Sequence, residues 1–193
     1  MRIPSLNQPI MEAMELKGKR IAVLVDLAYQ EMEVWYPIYR FIEAGAEVVT
    51  VGPAAGQVVN SKLGYPVKAD VAYADVNARD FDGVVCPGGW APDYIRRSEA
   101  AIKFVAETGQ QGKLLAAICH GPWILCSADA IRGRRVTCFH SIKTDVINAG
   151  GLYEDAEVVT DGHIVTSRKP EDLPAFMRSC IGVVANHVVA AQK

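Results

Sequence analysis

The stretch Lys113–Trp123, K-L-L-A-A-I-C-H-G-P-W, decides the fold. Leu114–Ile118 is a continuous apolar run of strand length, the mark of a strand buried on both faces of a parallel sheet. It stops abruptly at Cys119-His120-Gly121-Pro122, and a helix-like segment, roughly Gly121–Ala130, follows. A strand, a sharp turn with one reactive side chain at its apex, and a departing helix make the pattern of a nucleophile elbow, extended here from serine to cysteine. Such a turn aims a helix N-terminus at Cys119. The expectation is a thiol pushed towards thiolate by the helix dipole.

The segments on either side repeat the strand-and-helix alternation. Lys19–Asp26, Ala46–Gly52 and Phe81–Cys86 read as core strands. Glu31–Ala44 is helical and stops at Gly45, Ala91–Thr108 reads as one helix opened by Pro92 and Asp93, and Gly56–Val71 reads as a small hairpin. Beyond the elbow come a short strand at Arg135–Phe139, a helix at Ser141–Ala149, and a hairpin whose turn is signalled by Asp161-Gly162. A last helix starts at Pro170-Glu171-Asp172, with acids in its first turn. The pattern predicts a single-domain, three-layer α/β/α sandwich with a mainly parallel sheet. Residues 1–19 read as an N-terminal extension and residues 20–193 as the domain. In such sheets ligands sit outside the carboxyl ends of the strands. Three of those ends carry chemistry, at Asp26–Pro37, at Cys86–Trp90 and at Cys119-His120.

Composition narrows the function. The 193 residues carry a net charge of −2, half are hydrophobic and 22% are charged, which disfavours wholesale disorder and a general nucleic-acid or anionic-membrane surface. No apolar run approaches a membrane span, and the N-terminus lacks the apolar block of a signal peptide. The five cysteines, Cys86, Cys119, Cys126, Cys138 and Cys180, have no framework spacing, so the expectation is reduced thiols in a cytoplasm. No zinc-type motif is present, and no metal or cofactor is expected.

Five segments in order resemble the DJ-one/PfpI (ThiJ/PfpI) superfamily, and within it the protease-I-like branch, of class I glutamine amidotransferase-like, flavodoxin-like fold. They are Q-E-M-E-V-W-Y-P (30–37), C-P-G-G-W-A-P-D (86–93), A-I-C-H-G-P-W (117–123), I-K-T-D-V-I-N-A-G (142–150) and T-S-R-K-P-E-D-L-P-A-F (166–176). The resemblance implies that Cys119 is the nucleophile, that Glu33 contacts it, and that His120 is the adjacent base. It implies that Asp93, in place of a glutamate, orients His120 from a neighbouring subunit, and hence a homo-oligomer with Asp93 near an interface. Gly88 and Gly89, with the elbow amides, correspond to the oxyanion-binding site, and Trp90, Trp123, Phe139 and His140 fall around the substrate. Gln30 replaces an acid common among relatives, Phe139 replaces a tyrosine, and His140 replaces a proline.

A carboxylate would repel a thiolate, whereas a buried carboxylic acid donates a hydrogen bond to it, so Glu33 is expected to be protonated at neutral pH. The bland readings set against this are a buried structural Cys119, a locally bonded His120, a solvated Glu33, and an Asp93 placed only by the dipole of its helix. The leading functional expectation is a cysteine-dependent hydrolase of the intracellular-protease type, acting on peptides in a stress or damage response. The alternatives are a cofactor-independent glyoxalase or deglycase for 2-oxoaldehydes or their adducts, and a non-catalytic thiol redox sensor or chaperone.

Overall fold

The computed structural model describes residues 15–187. Most of the expected N-terminal extension, and the last six residues of the domain, lie outside the described residues. Seven strands form the central sheet in the order β10-β11-β7-β6-β1-β2-β5. They are β1 (Arg20–Leu24), β2 (Glu47–Gly52), β5 (Val71–Ala72), β6 (Gly83–Cys86), β7 (Leu114–Ile118), β10 (Val158–Asp161) and β11 (Ile164–Ser167). All neighbours are parallel except β10 and β11, which form the expected hairpin. Asp161 pairs with Ile164, so the two-residue loop is Gly162-His163. Strand β7 is buried at every residue, as its unbroken apolar run requires.

Helix α1 (Glu31–Glu43) packs with α6 (Leu173–Asn186) on the sheet, and α3 (Glu99–Gln110) packs with α4 (Pro122–Ser127), giving the two outer layers. The apolar faces of α1 and α6 bury Val34, Ile38 and Phe41 against a core that includes Phe176, Met177 and Ile181. The hairpin expected within Gly56–Val71 is β3 (Val58–Asn60) paired antiparallel with β4 (Pro66–Lys68).

Three details differ from the sequence expectation. The helix expected over Ala91–Thr108 is two helices, α2 (Ala91–Ile95) and α3, because the Ser98 side chain caps a new N-terminus by accepting the Ala101 N–H. The segment Arg135–Phe139 contributes only β8 (Arg135–Val136), which pairs with β9 (Leu152–Tyr153) outside the main sheet. The helix after the elbow is six residues long. At the β10 edge, the Arg135 N–H donates to Asp161 Oδ2 at 2.9 Å, and the Arg135 guanidinium donates to the Thr160 carbonyl at 3.1 Å.

The sheet order places β7, β6 and β1 side by side, so the three chemistry-bearing strand ends meet. The chain runs from β1 outward to β2 and β5, then returns to β6 on the other side of β1. That reversal opens the crevice in which such folds bind ligands.

Candidate active site

Cys119 follows β7 directly and has φ 61°, in the left-handed region. For a side-chain-bearing residue this costs about 1–2 kcal/mol. The turn is held by the N–H of Cys119 donating to the Ser167 carbonyl at 3.0 Å, by Phe139 N–H donating to the Cys119 carbonyl at 2.9 Å, and by Gly121 N–H donating to the Ile118 carbonyl at 2.8 Å. Gly121 sits against the carbonyl oxygen of Cys86, and an added Cβ would overlap that oxygen. The strand therefore turns into α4 through a space that only glycine fits.

Glu33 reaches the elbow from the first turn of α1 and is 0% exposed. Its backbone N–H is accepted by the Gln30 side chain at 2.9 Å, so Gln30 acts as the N-cap of α1. Glu33 Oε2 accepts the Gly88 N–H at 2.7 Å. Oε1 is buried without a regular hydrogen-bond partner among the described residues, and the Cys119 thiol is the side-chain group that the carboxyl meets. A Cβ added at Gly88 would lie 2.6 Å from Glu33 Oε2 and 2.7 Å from Cys119 Cβ, so a glycine here lets acid and thiol approach. The next amide along, Gly89, and the amide of His120 both favour a negative charge on the Cys119 sulfur.

The electrostatics depart from one expectation and agree in direction with another. Cys119 is 8% exposed. Burial first, then the neighbouring Glu33 charge, push its thiol up to about 12, against the pull of the Gly89 and His120 amides. The helix does not turn the resting thiol into a thiolate, and a base must take its proton. Burial also raises Glu33 from the ordinary 4.5 to about 7, with the Gly88 N–H pulling the other way. The shift runs in the direction expected for an acid that keeps its proton beside the sulfur.

The base is in place. His120 Nδ1 lies 3.2 Å from Cys119 Sγ, so the adjacent side chains do meet. Burial, His140 and Lys62 lower the imidazole pKa, which keeps His120 neutral and able to accept a proton. Its ring stacks on Phe139 at 5.1 Å and 29°, meets Trp123 edge-on at 5.2 Å, and has Trp90 at 6.0 Å. Trp123 is anchored by its indole N–H on Asp145 at 2.8 Å. Trp90 stands 59% exposed at the start of α2, and His140 is exposed beside Phe139.

Asp93 is not joined to His120 within the chain. It pairs with Arg97 one turn along, as a half-exposed group. The imidazole Nε2 instead meets Ser141 Oγ at 3.2 Å. Sequence reading passed over Ser141, because an isolated exposed serine carries no signal until the turn His140–Ile142 folds over the elbow. Among the described residues no cluster of three or more His, Cys, Asp or Glu side chains is placed to hold a metal ion, and no helix is long and apolar enough to cross a membrane.

Strand ends, glycine pair and elbow thus occur together in the order that the five segments run. A profile of the DJ-1/PfpI family matches residues 19–182. This chain belongs to the DJ-1/PfpI family. A deglycase of Pyrococcus abyssi is 44% identical over 162 residues, covering 84% of this chain and 97% of that one. YraA of Bacillus subtilis, which bears a provisional cysteine-protease name, is 42% identical over 167 residues, covering 86% of this chain and 99% of its own. Protein/nucleic acid deglycase 2 of Escherichia coli is 42% identical, covering 85% and 96%. Among solved structures, Drosophila melanogaster DJ-1beta superposes with a TM-score of 0.81 at 28% identity, covering 88% of this chain and 91% of that one. The DJ-1/PfpI family members with deglycase and protease names support an enzyme and leave its exact activity to the site.

Proposed function

We propose that this chain is a Cys119-dependent enzyme of carbonyl chemistry, acting on small 2-oxoaldehydes or their adducts with amines and thiols. The observation that carries this reading is the buried pair of Cys119 and Glu33, in contact across Gly88. A carboxyl whose pKa lies near the working pH both gives and takes a proton readily. Peptide hydrolysis needs a nucleophile, a base and an oxyanion site. Rearranging a 2-oxoaldehyde needs all three and, in addition, a group that moves a proton between adjacent carbons. Glu33 supplies that group.

The steps follow from the geometry. His120 Nδ1 takes the thiol proton as sulfur bonds to the aldehyde carbon, and the Gly89 and His120 amides receive the developing oxyanion. Once protonated, that adduct is a hemithioacetal. Glu33 removes the proton from its carbon and delivers it to the neighbouring carbon, while the hydroxyl proton of the first carbon passes to the neighbouring carbonyl oxygen, leaving the thioester of a 2-hydroxy acid. Water cleaves the thioester to a 2-hydroxy acid and restores the thiol. No external oxidant or reductant is consumed.

A second reading, the peptide hydrolase expected from the sequence, keeps the support of the Cys119–His120 contact and of the protease-named relative. Its disadvantage is that peptide hydrolysis leaves the buried Glu33 beside Cys119 without a task. The purified chain and Cys119→Ala, given methylglyoxal and a fluorogenic peptide panel, separate the two. The expected result is 2-hydroxy acid formation lost on Cys119→Ala. Peptide cleavage without aldehyde turnover would favour the hydrolase, and aldehyde turnover surviving Cys119→Ala would sink the mechanism.

A further inference from the structure

Away from the elbow, two histidines lean on one turn. His163 stands in the β10–β11 loop, and His187 directly follows α6. Ile164 pairs with Leu115 at the start of β7, so this loop lies at the end of the sheet opposite Cys119. The turn, residues 109–112, is where α3 hands over to β7, and the Gly112 N–H closes it by donating to the Gly109 carbonyl at 2.9 Å. His163 Nε2 lies 3.9 Å from where a Cβ on Gly109 would stand, and His187 Cε1 lies 3.9 Å from the corresponding point on Gly112. Both rings line one cavity of about 470 Å³, together with Gly182 and Asn186 of α6. His163 is pinned by its backbone, whose carbonyl accepts the Leu115 N–H at 2.9 Å. The end of α6 is held more lightly, by the His187 N–H donating to the Val184 carbonyl at 3.3 Å. We propose that His163 and His187 form a pH-sensitive latch, which seats the last turn of α6 while both rings are neutral and releases it when they take protons.

The surroundings of His163 oppose a positive charge. Burial acts first, then Arg134 and His187, while Asp161 favours the imidazolium. Asp161 is already shared, because its carboxylate accepts the Arg134 guanidinium at 3.4 Å and the Arg135 N–H at 2.9 Å. The other charged groups on the neighbouring elements are engaged or turned away. Lys113, beside the turn, donates to the Ala78 and Arg79 carbonyls at 2.7 and 3.2 Å. Glu107 of α3 pairs with Lys103, Asp129 beyond α4 pairs with Arg132, and Arg178 of α6 is exposed outside the cavity. The seated ring is thus held below its ordinary 6.5. Once the last turn of α6 lifts, the ring meets water and titrates at its ordinary value. The released state then binds more protons than the seated one. Seating is fully favoured above 6.5 and is lost as pH falls from there through the lowered value of the seated ring. Each ring takes one proton from solvent, and no covalent bond to carbon or sulfur changes. Gly182 gives α6 a place to part, since a glycine in a helix interior costs about 1 kcal/mol against alanine. No neighbour stands within 4 Å of a Cβ there, so packing does not demand the glycine.

Hydrogen–deuterium exchange of the full chain, read by mass spectrometry at about pH 7.5 and 5.5 and corrected for the intrinsic rate, measures the seating of α6. One group titrating at 6.5 when released raises the open population at pH 5.5 by about tenfold at most. The wild type is expected to lose protection in the last turn of α6 severalfold, up to that limit, while the turns around Phe176 keep theirs. His163→Gln is expected to show equal protection at the two pH values. His187→Gln, which removes one of the opposing charges, is expected to lessen the loss without abolishing it. Gly182→Ala is expected to raise protection at both pH values and to keep the pH response. Proton NMR of the wild type should show the His163 ring titrating below 6.5. Equal protection at both pH values in the wild type would overturn the proposal. So would an undiminished loss in His163→Gln or in His187→Gln, or a His163 ring that titrates at 6.5 or above. Where His163→Gln loses protection throughout α6 it has unfolded, and the wild-type profile, the ring titration and His187→Gln then decide. No substrate and no reaction of Cys119 enters the measurement, so failure here leaves the proposed activity untouched.

Discussion

Glu33 is the residue whose environment does most to set the chemistry. It is fully buried, its Oε2 is tied to the Gly88 amide, and its pKa is raised to about 7. Burial moves a titration ordinarily centred near 4.5 towards neutral pH. The linkage has a definite sign. In the unfolded chain the carboxyl ionises near 4.5, so between 4.5 and 7 the folded state binds more protons than the unfolded one. Stability from this group is fully present below 4.5 and is lost as pH rises through 7. The loss is about 3 kcal/mol at most. Glu33→Gln, which cannot ionise, should abolish that slope. Urea unfolding at pH 5 and pH 8 checks it, and an undiminished slope in the variant would assign it to other groups. This acid was readable in the sequence only through its spacing from Pro37 and the family resemblance. Its burial, and hence its pKa, depends on β6 and β7 closing over α1. The raised Cys119 pKa was hidden for the same reason, since a helix N-terminus can be read from Gly121-Pro122 but the desolvation of the sulfur cannot.

At the scale of elements, the elbow is a close fit between two strand ends. Gly121 lies against the Cys86 carbonyl where β6 stops, so the β7 turn and the β6 end were shaped together. Gly121→Ala should cost about 3 kcal/mol through overpacking, and should slow Cys119 alkylation because the turn must open. Thermal unfolding and the alkylation rate measure the two effects. A variant with unaltered values of both would mean that the turn has slack. The elbow was legible from a single run of residues because its signals are local, an apolar strand followed by Cys-His-Gly-Pro. The break between α2 and α3 was legible in principle, in Ser98 followed by Glu99, but the apolar spacing around it continues as if unbroken. The place of β8 was not legible, because Arg135 and Val136 read as strand whichever sheet they join. Ser141 is the clearest case of a residue defined by neighbours far along the chain.

Across the whole molecule, the segment just before the first strand packs on the domain. Leu16 is fully buried and its N–H donates to the Ala44 carbonyl at 2.8 Å, at the end of α1. The segment before β1 therefore closes the core below the sheet. Leu16→Ala should destabilise the chain by about 3 kcal/mol, as large-to-small changes in packed cores do. Denaturant unfolding of the full chain is the measurement, and a change under 1 kcal/mol would place Leu16 outside the cooperative unit. The two margins of the sheet have a further consequence, for how this protein meets copies of itself. An open sheet offers unpaired backbone groups along its border, where a foreign strand can add and aggregation can start. Here one margin, β5, is two residues long, and at the other Arg135 already occupies the Thr160 carbonyl and the Asp161 carboxylate. Neither border presents a long bare template, so runaway strand-on-strand polymerisation is discouraged, and assembly in a crowded solution is left to side-chain surfaces that can be tuned one residue at a time.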